Sequence, residues 1–225
     1  MEFVCYSDWS QLPESANSLF TKAEQESIFF SRPWLEDLVS KALEDGCKLQ
    51  LAAVVENNKV LALLPLMQQE AEHLDSLGHL YTSLFTLLAD DPEQNVLDCL
   101  VHGLSDLQFR SLKFDPIAED DNKLHRLQHA LEQAGFICHR HFRFYNWIHQ
   151  THGQSFADYM ATRPTRVRNT IARKERKLER EHDYRVQLYT DEDFQQGLAD
   201  YDVVYKASWK AHEQFSDFID RLAAT

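Results

Sequence analysis

The stretch KLQLAAVVENNKVLALLPLMQQ, residues 48–69, constrains the fold more than any other part of the chain. Two strongly apolar runs flank Asn57-Asn58, and asparagine tolerates the positive φ that a tight hairpin turn demands. Both runs therefore read as buried strands of one antiparallel pair. Pro65 has no N–H to give a ladder, so its strand is expected to bulge, splay or lie at an edge there.

The elements around the hairpin follow from local signals. A short strand is expected at Phe3 to Tyr6 and a helical stretch at Leu12 to Ala23. The segment FFSRPWLEDLVSKALEDG predicts a helix with Ser31 as its N-cap, Pro33 in its first turn, Leu35, Leu38, Val39 and Leu43 at helical spacing, and Gly46 as its stop. Beyond the hairpin, the pattern predicts a strand at His73 to Leu77 ended by Gly78, a helix from Pro92 to Leu104 and a strand from Phe109 to Phe114. A helix from Asp121 to Ala134, closed by Gly135, leads into a strand-like stretch from Phe136 to Ile148. Late alternation of helix and strand predicts an α/β fold layered around a mixed sheet.

Composition excludes several classes. At 225 residues, with 44% apolar and only twelve Gly plus Pro, the chain is neither disordered nor fibrous and is long enough for one full domain and a smaller attachment. MEFVCYSDWSQ has no basic and apolar leader pattern, and no apolar run approaches a membrane span, so a cytoplasmic protein is expected. Cys5, Cys47, Cys99 and Cys138 are too scattered for a metal knuckle or a short disulfide framework, and they read as reduced thiols. A net charge of −13 argues against nucleic acid and anionic membrane as general partners. Against that background, residues 163–185 hold nine Lys/Arg and four Asp/Glu.

A polar breaker at Gln150 to Gln154 marks a boundary, giving an expected organisation of 1–150, 151–183 and 184–225. Ser155-x-x-Asp158 is a capping-box-like start for a short helix, and Thr162 with Pro164 opens a long basic one reaching to about His182. A strand at Tyr184 to Tyr189 and a helix capped by Thr190 follow. On the basic helix Arg166, Arg173, Lys177 and Arg180 fall in one stripe at 100° per residue, with Val167, Ile171 and Leu178 in another about 120° away. The cationic stripe suits a phosphate or another anionic group of a small-molecule acceptor, and it also suits plain solvation. It lacks the interleaved aromatics of a nucleic-acid surface.

His139, His141, Arg143, Tyr145, Trp147 and His149 would share one face of a regular strand, a candidate wall for an anion or a sugar and equally a docking surface. The two histidines lack a third metal ligand at a recognisable spacing. His125 and His129 stand at i and i+4, but HRLQH has no glutamate in the position a metalloprotease needs.

The element order, with FFSRPWLEDLV after the first helix and the hairpin VVENNKVLALLPLM, resembles the N-terminal half of the CelD/BcsL-type acetyltransferase-like proteins, relatives of the FemABX transferases. SFADYMATRPTRVRNTIARKERKLEREHDYRVQLYTDEDFQQ is similar to that family's inter-domain segment, in which a Ser-aromatic-x-x-Tyr turn precedes an Arg/Lys-rich helix and a strand, continuing here to a helix bearing Trp209. The resemblance implies a GNAT-like first unit over 1–150, a basic connecting helix over 151–183 and a truncated start of a second GNAT-like unit over 184–225. It implies N-acyl transfer from acyl-CoA to an amine of a sugar or cell-envelope precursor, with the donor handled mainly by the second unit.

Such chemistry needs a loop of the type R/Q-x-x-G-x-G/A, whose backbone N–H groups and following helix N-terminus cradle the CoA pyrophosphate. The equivalent stretch here is DSLGHLYTSLFTLLADDPEQN. Gly78 is its only glycine, and Asp90-Asp91-Pro92-Glu93 precede the helix with charges that repel a pyrophosphate. No catalytic residue carries over, and no CoA contact is expected in this unit. The competing expectation is a non-catalytic module that pairs with a partner chain or with itself.

Overall fold

The computed structural model describes residues 1–43, 46–70, 72–190 and 192–209. Its described residues divide into two compact units, 1–143 and 144–209. The first is mixed α/β.

Its sheet is built around the hairpin. Strand β1 (Glu2–Tyr6) pairs antiparallel with β2 (Lys48–Glu56), which pairs with β3 (Lys59–Glu70). Asn57 and Asn58 make the connection at φ of 49° and 61°, as a tight turn between right-twisted strands requires. β3 then pairs antiparallel with β4 (His73–Ser76) and with β5 (Leu88–Ala89), while β4 pairs parallel with β6 (Ser111–Lys113). The order β1-β2-β3-β4-β6, with β5 beside β3, makes a six-stranded mixed sheet.

Pro65 illustrates how the sequence and the sheet agree. Its carbonyl accepts the Leu77 N–H at 3.0 Å. A residue in an extended strand sends its carbonyl and its nitrogen to the same side, so the donor-less nitrogen also faces that side. There β3 passes from β4, paired at Leu66, to β5, paired at Leu63, and the ladder is interrupted. Pro65 thus sits at a gap between two neighbours, where a bulge, a splay or an edge was expected.

Helices cover both faces. α1 (Asn17–Ala23) and α2 (Arg32–Lys41) pack Leu19, Phe20, Leu35 and Leu38 against Leu51, Ala53, Val55 and Leu63. α3 (Gln94–Ser105) and α4 (Asn122–Gln133) pack Leu97, Leu100, Leu104, Leu127 and Leu131 against Ala52, Val54, Ala62, Leu64 and Leu66. Consecutive residues of β2 alternate between these two cores, which is why its run is apolar without a break. Each fully buried leucine contributes about 1.5–3 kcal/mol. The Ser31 hydroxyl accepts the Trp34 N–H at 3.3 Å and caps α2, and Asp121 caps α4 by accepting the Leu124 N–H at 2.9 Å.

Two expected strands differ. Residues 136–148 and 184–189 carry no strand pairing among the described residues. Phe136 and Cys138 still pack on the second core, with Phe136 stacked on Phe109 at 6.0 Å, but Ile137 faces water. The alternation gives these stretches strand-like faces, and a ladder also requires a neighbouring backbone.

The second unit holds α5 (Phe156–Ala161), α6 (Thr165–Glu181) and α7 (Phe194–Ala207). Ser155 caps α5, accepting the Asp158 N–H at 3.1 Å. α7 ends before Trp209, which lies outside the helix that the family resemblance extends to it. None of the three helices contains a buried residue. No helix among the described residues is long and apolar enough to cross a membrane.

Candidate functional site

The approach to α3 is where a phosphate-gripping loop is expected, and its side chains are already engaged within the first unit. Asp90 is paired with Lys22 of α1. Asp91, at φ 43°, is held by Arg126 of α4 at 2.7 Å, and the same guanidinium donates to the Pro92 carbonyl. The hydrogen bond from Lys22 and its charge hold the Asp90 carboxyl below its ordinary pKa. Thr86, buried, donates to the second carboxylate oxygen of Asp121 at 2.6 Å, so the loop is also tied to the start of α4. Glu93 is the N-cap and adds a further acid at the helix end. Negative charge suits the positive end of α3, and it leaves no basic or glycine-rich cradle for a pyrophosphate. The residues present do not fit CoA at this position.

Gly78 opens the loop from residue 78 to residue 87 that separates β4 from β5. Beside it the ends of β4 and β6 are clamped: the Ser76 hydroxyl accepts the Asp115 N–H and donates to the Asp115 carbonyl, each at 3.0 Å. Farther along, the Phe85 N–H donates to the Pro116 carbonyl at 2.7 Å and Phe85 stacks on Phe114 at 5.5 Å. No sequence signal singles out Ser76 or Asp115, because the clamp joins residues 39 apart through one hydroxyl and one backbone unit.

No strand carries the alternating residues His139 to His149. Within the first unit, His139 and His141 stand with ring centroids 6.4 Å apart, and Arg143 pairs with Asp115, which also takes Lys113 at 3.3 Å. Within the second unit, Tyr145 and Trp147 are 76% and 91% exposed. No group of three or more His, Cys, Asp or Glu is arranged to hold a metal among the described residues. His129 meets Gln133 at 3.1 Å on the surface of α4.

On α6 the cationic row is exposed from end to end. Lys177 and Arg180 share Glu181, at 3.4 and 3.0 Å. Arg166 and Arg173 have no partner among the described residues. The row therefore has a C-terminal end partly offset by one shared carboxylate and, among the described residues, an unpaired N-terminal half. Just before it, Tyr159 of α5 lies between His149, at 4.9 Å and edge-on, and the Arg163 guanidinium, 4.5 Å from the ring centroid. The Ser-aromatic-x-x-Tyr turn thus fixes Arg163 beside the start of the row. The i, i+4 spacing of Tyr159 and Arg163 was the available signal for this stack.

Three of the four thiols, Cys5, Cys99 and Cys138, are poorly placed for nucleophilic chemistry. Cys5 donates to the Gln50 side-chain carbonyl at 3.0 Å, and burial pushes its pKa up to about 11. Burial also raises Cys99 and Cys138.

Searches of family models, curated proteins and solved structures find no match for this chain.

Proposed function

We propose that the chain serves N-acyl transfer as a GNAT-like protein related to the CelD/BcsL type, and that its share of the task is acceptor recognition rather than grip on the acyl donor. The reaction is transfer of an acyl group from acyl-CoA to an amine of a sugar or cell-envelope precursor. The observation that supports the fold side of this reading most is the order of elements. A strand, two helices and four antiparallel strands, the last of them the two-residue β5, are followed by a helix and a strand parallel to β4.

The acceptor side rests on α6. Arg166 and Arg173 are seven residues apart, two turns along one face, and Arg163, ahead of the Pro164 N-cap, is held by Tyr159. Guanidinium groups in such a row bind phosphate oxygens with directed, charge-assisted hydrogen bonds. An amine-bearing sugar carried on a phosphate or diphosphate fits this chemistry. The α3 entrance, with its engaged acids, supports placing the donor elsewhere.

The test is a calorimetric titration of the full chain with a nucleotide-linked amino sugar. Binding that weakens by about tenfold or more, roughly 1.4 kcal/mol, in the Arg166→Ala, Arg173→Ala double variant supports the reading. Binding unchanged by the substitutions, or no binding by the unsubstituted chain, contradicts it.

A second reading, a non-catalytic binding module, is favoured by the occupied entrance to α3. The two separate in a thiol-release assay with acetyl-CoA and the same amino sugar, in which a module that only binds gives no acceptor-dependent release under any pairing of chains.

A further inference from the structure

We infer that Glu70, His73 and Ser111 form a hydrolytic serine site on the first unit, with Ser111 as nucleophile and His73 as its base, acting on carboxylic esters that carry a good leaving group. This goes beyond the acyl-transfer reading and uses side chains that it leaves idle.

The first observation is register. Glu70, the last residue of β3, is the cross-strand partner of His73, the first residue of β4. His73 is in turn the partner of Ser111, the first residue of β6. Directly opposed residues point to the same face of a sheet with their Cβ atoms about 4.5–5.5 Å apart. The backbone therefore sets a carboxylate, an imidazole and a hydroxyl in one row across three adjacent strands. The linear sequence hides this row, because Ser111 lies 38 residues beyond His73.

The second observation is side-chain geometry. The Ser111 hydroxyl meets His73 Nδ1 at 2.6 Å, within the reach that a nucleophile and its base require. On the other side of the ring, His73 Nε2 lies 3.7 Å from a Glu70 carboxylate oxygen. A carboxylate at Nε2 favours the tautomer with its proton there, which leaves the Nδ1 lone pair to accept from Ser111. The contact with Glu70 is long for a hydrogen bond and tightens as the ring gains charge. Nucleophile, base and orienting acid thus stand in the order that serine hydrolysis uses, with the two ring nitrogens exchanged. The Glu70 and His73 side chains are 75% and 46% exposed and Ser111 is exposed, so a substrate can reach the hydroxyl.

In the first step Ser111 Oγ bonds to the ester carbonyl carbon, its proton passes to His73 Nδ1, and the carbonyl π pair moves onto oxygen. The pair returns, the bond to the alkoxy oxygen breaks, and the alcohol leaves with the proton from His73. Water then attacks the acyl-serine carbonyl and gives a proton to Nδ1, and collapse releases the carboxylic acid as that proton returns to Ser111 Oγ. Ester and water become acid and alcohol, and the protein is regenerated. The Ser111 N–H donates to the Glu72 carbonyl at 3.3 Å, so it is not offered to the developing oxyanion. That confines the substrate to esters whose alcohol leaves readily, such as aryl esters.

The experiment is timed labelling of the full chain with a fluorophosphonate, read serine by serine through peptide mapping, alongside hydrolysis of p-nitrophenyl acetate. Ser111 is expected to be labelled about a hundredfold faster than the exposed Ser18 and Ser155, and His73→Gln to bring it down to their rate. Glu70 acts through His73 as a positioning residue. Glu70→Gln is expected to slow labelling about tenfold and Glu70→Asp to regain part of the loss, which a side chain serving only the fold would not show. All three side chains are exposed, so the variants are expected to melt with the unsubstituted chain. Ester hydrolysis is expected to fall about tenfold or more in Ser111→Ala. The proposal is overturned if Ser111 is labelled no faster than Ser18 and Ser155, if fast labelling survives His73→Gln, or if Ser111→Ala leaves ester hydrolysis unchanged.

Discussion

Replacing Gly103 with alanine sets two effects against each other. Gly103 sits in α3, where alanine is favoured over glycine by about 1 kcal/mol through helix propensity alone. Yet a Cβ at this position falls on the ring of Phe3 in β1, well inside the 3.0 Å that real Cβ atoms respect. The overlap involves Cγ and both δ carbons, close to the Phe3 backbone, so swinging the ring tip does not relieve it. α3 must lift or β1 must shift, and forced insertion of a methyl group into a packed contact costs typically 1–3 kcal/mol. The overlap is severe, so the upper part of that range applies and the net loss is about 1–2 kcal/mol.

At 2–4 °C per kcal/mol for a chain of this length, the melting temperature falls by about 2–8 °C. The assay is thermal unfolding followed by circular dichroism, run as a double-mutant cycle with Phe3→Ala. In the Phe3→Ala background the clash is gone, and Gly103→Ala becomes stabilising by up to about 1 kcal/mol. A Gly103→Ala protein that melts higher than the unsubstituted chain, or a cycle with no coupling, refutes the packing of α3 on β1 described above.

Three further outcomes are expected. Ser76→Ala removes both hydrogen bonds that clamp β4 to the end of β6 and strands the Asp115 backbone groups, costing about 1–3 kcal/mol in chemical denaturation; an unchanged midpoint contradicts the clamp. Lys22 holds the Asp90 carboxyl below its ordinary value, so this pair's contribution is present above the unfolded carboxyl pKa and lost as pH falls through the lower folded value. Carboxyl NMR titration reads it: Lys22→Ala moves the Asp90 midpoint upward, and a midpoint that stays put contradicts the pair. Cys5, with its pKa pushed up to about 11, is alkylated far more slowly than a free cysteine at pH 8, as peptide mapping after timed alkylation measures; a rate equal to that of the denatured chain contradicts its burial.

The elements that were legible in the sequence are those whose signal is local. Ser31 capping the helix that contains Pro33, the Asn57-Asn58 turn and Gly135 at positive φ after α4 each need only a few neighbouring residues to act. The buried hairpin was legible because its residues are apolar on both faces. The strands expected at 136–148 and 184–189 were misread because alternation reports side-chain faces, whereas a ladder depends on backbone from elsewhere in the fold. For the candidate site, the cationic row on α6 follows from seven-residue spacing, but the pairing of two of its cations with Glu181 depends on rotamers that spacing does not fix. The pairing of Asp91 with Arg126 joins residues 35 apart, and the acids alone gave only their sign.

The acceptor assignment is tested most directly by amide hydrogen exchange on the full chain with and without a nucleotide-linked amino sugar. The account predicts slowed exchange through the first half of α6, around Arg166 to Arg173, abolished in the Arg166→Ala, Arg173→Ala variant, and no change at the start of α3. Protection appearing at Gln94 to Leu97 instead, or protection of α6 that persists in the double variant, contradicts it.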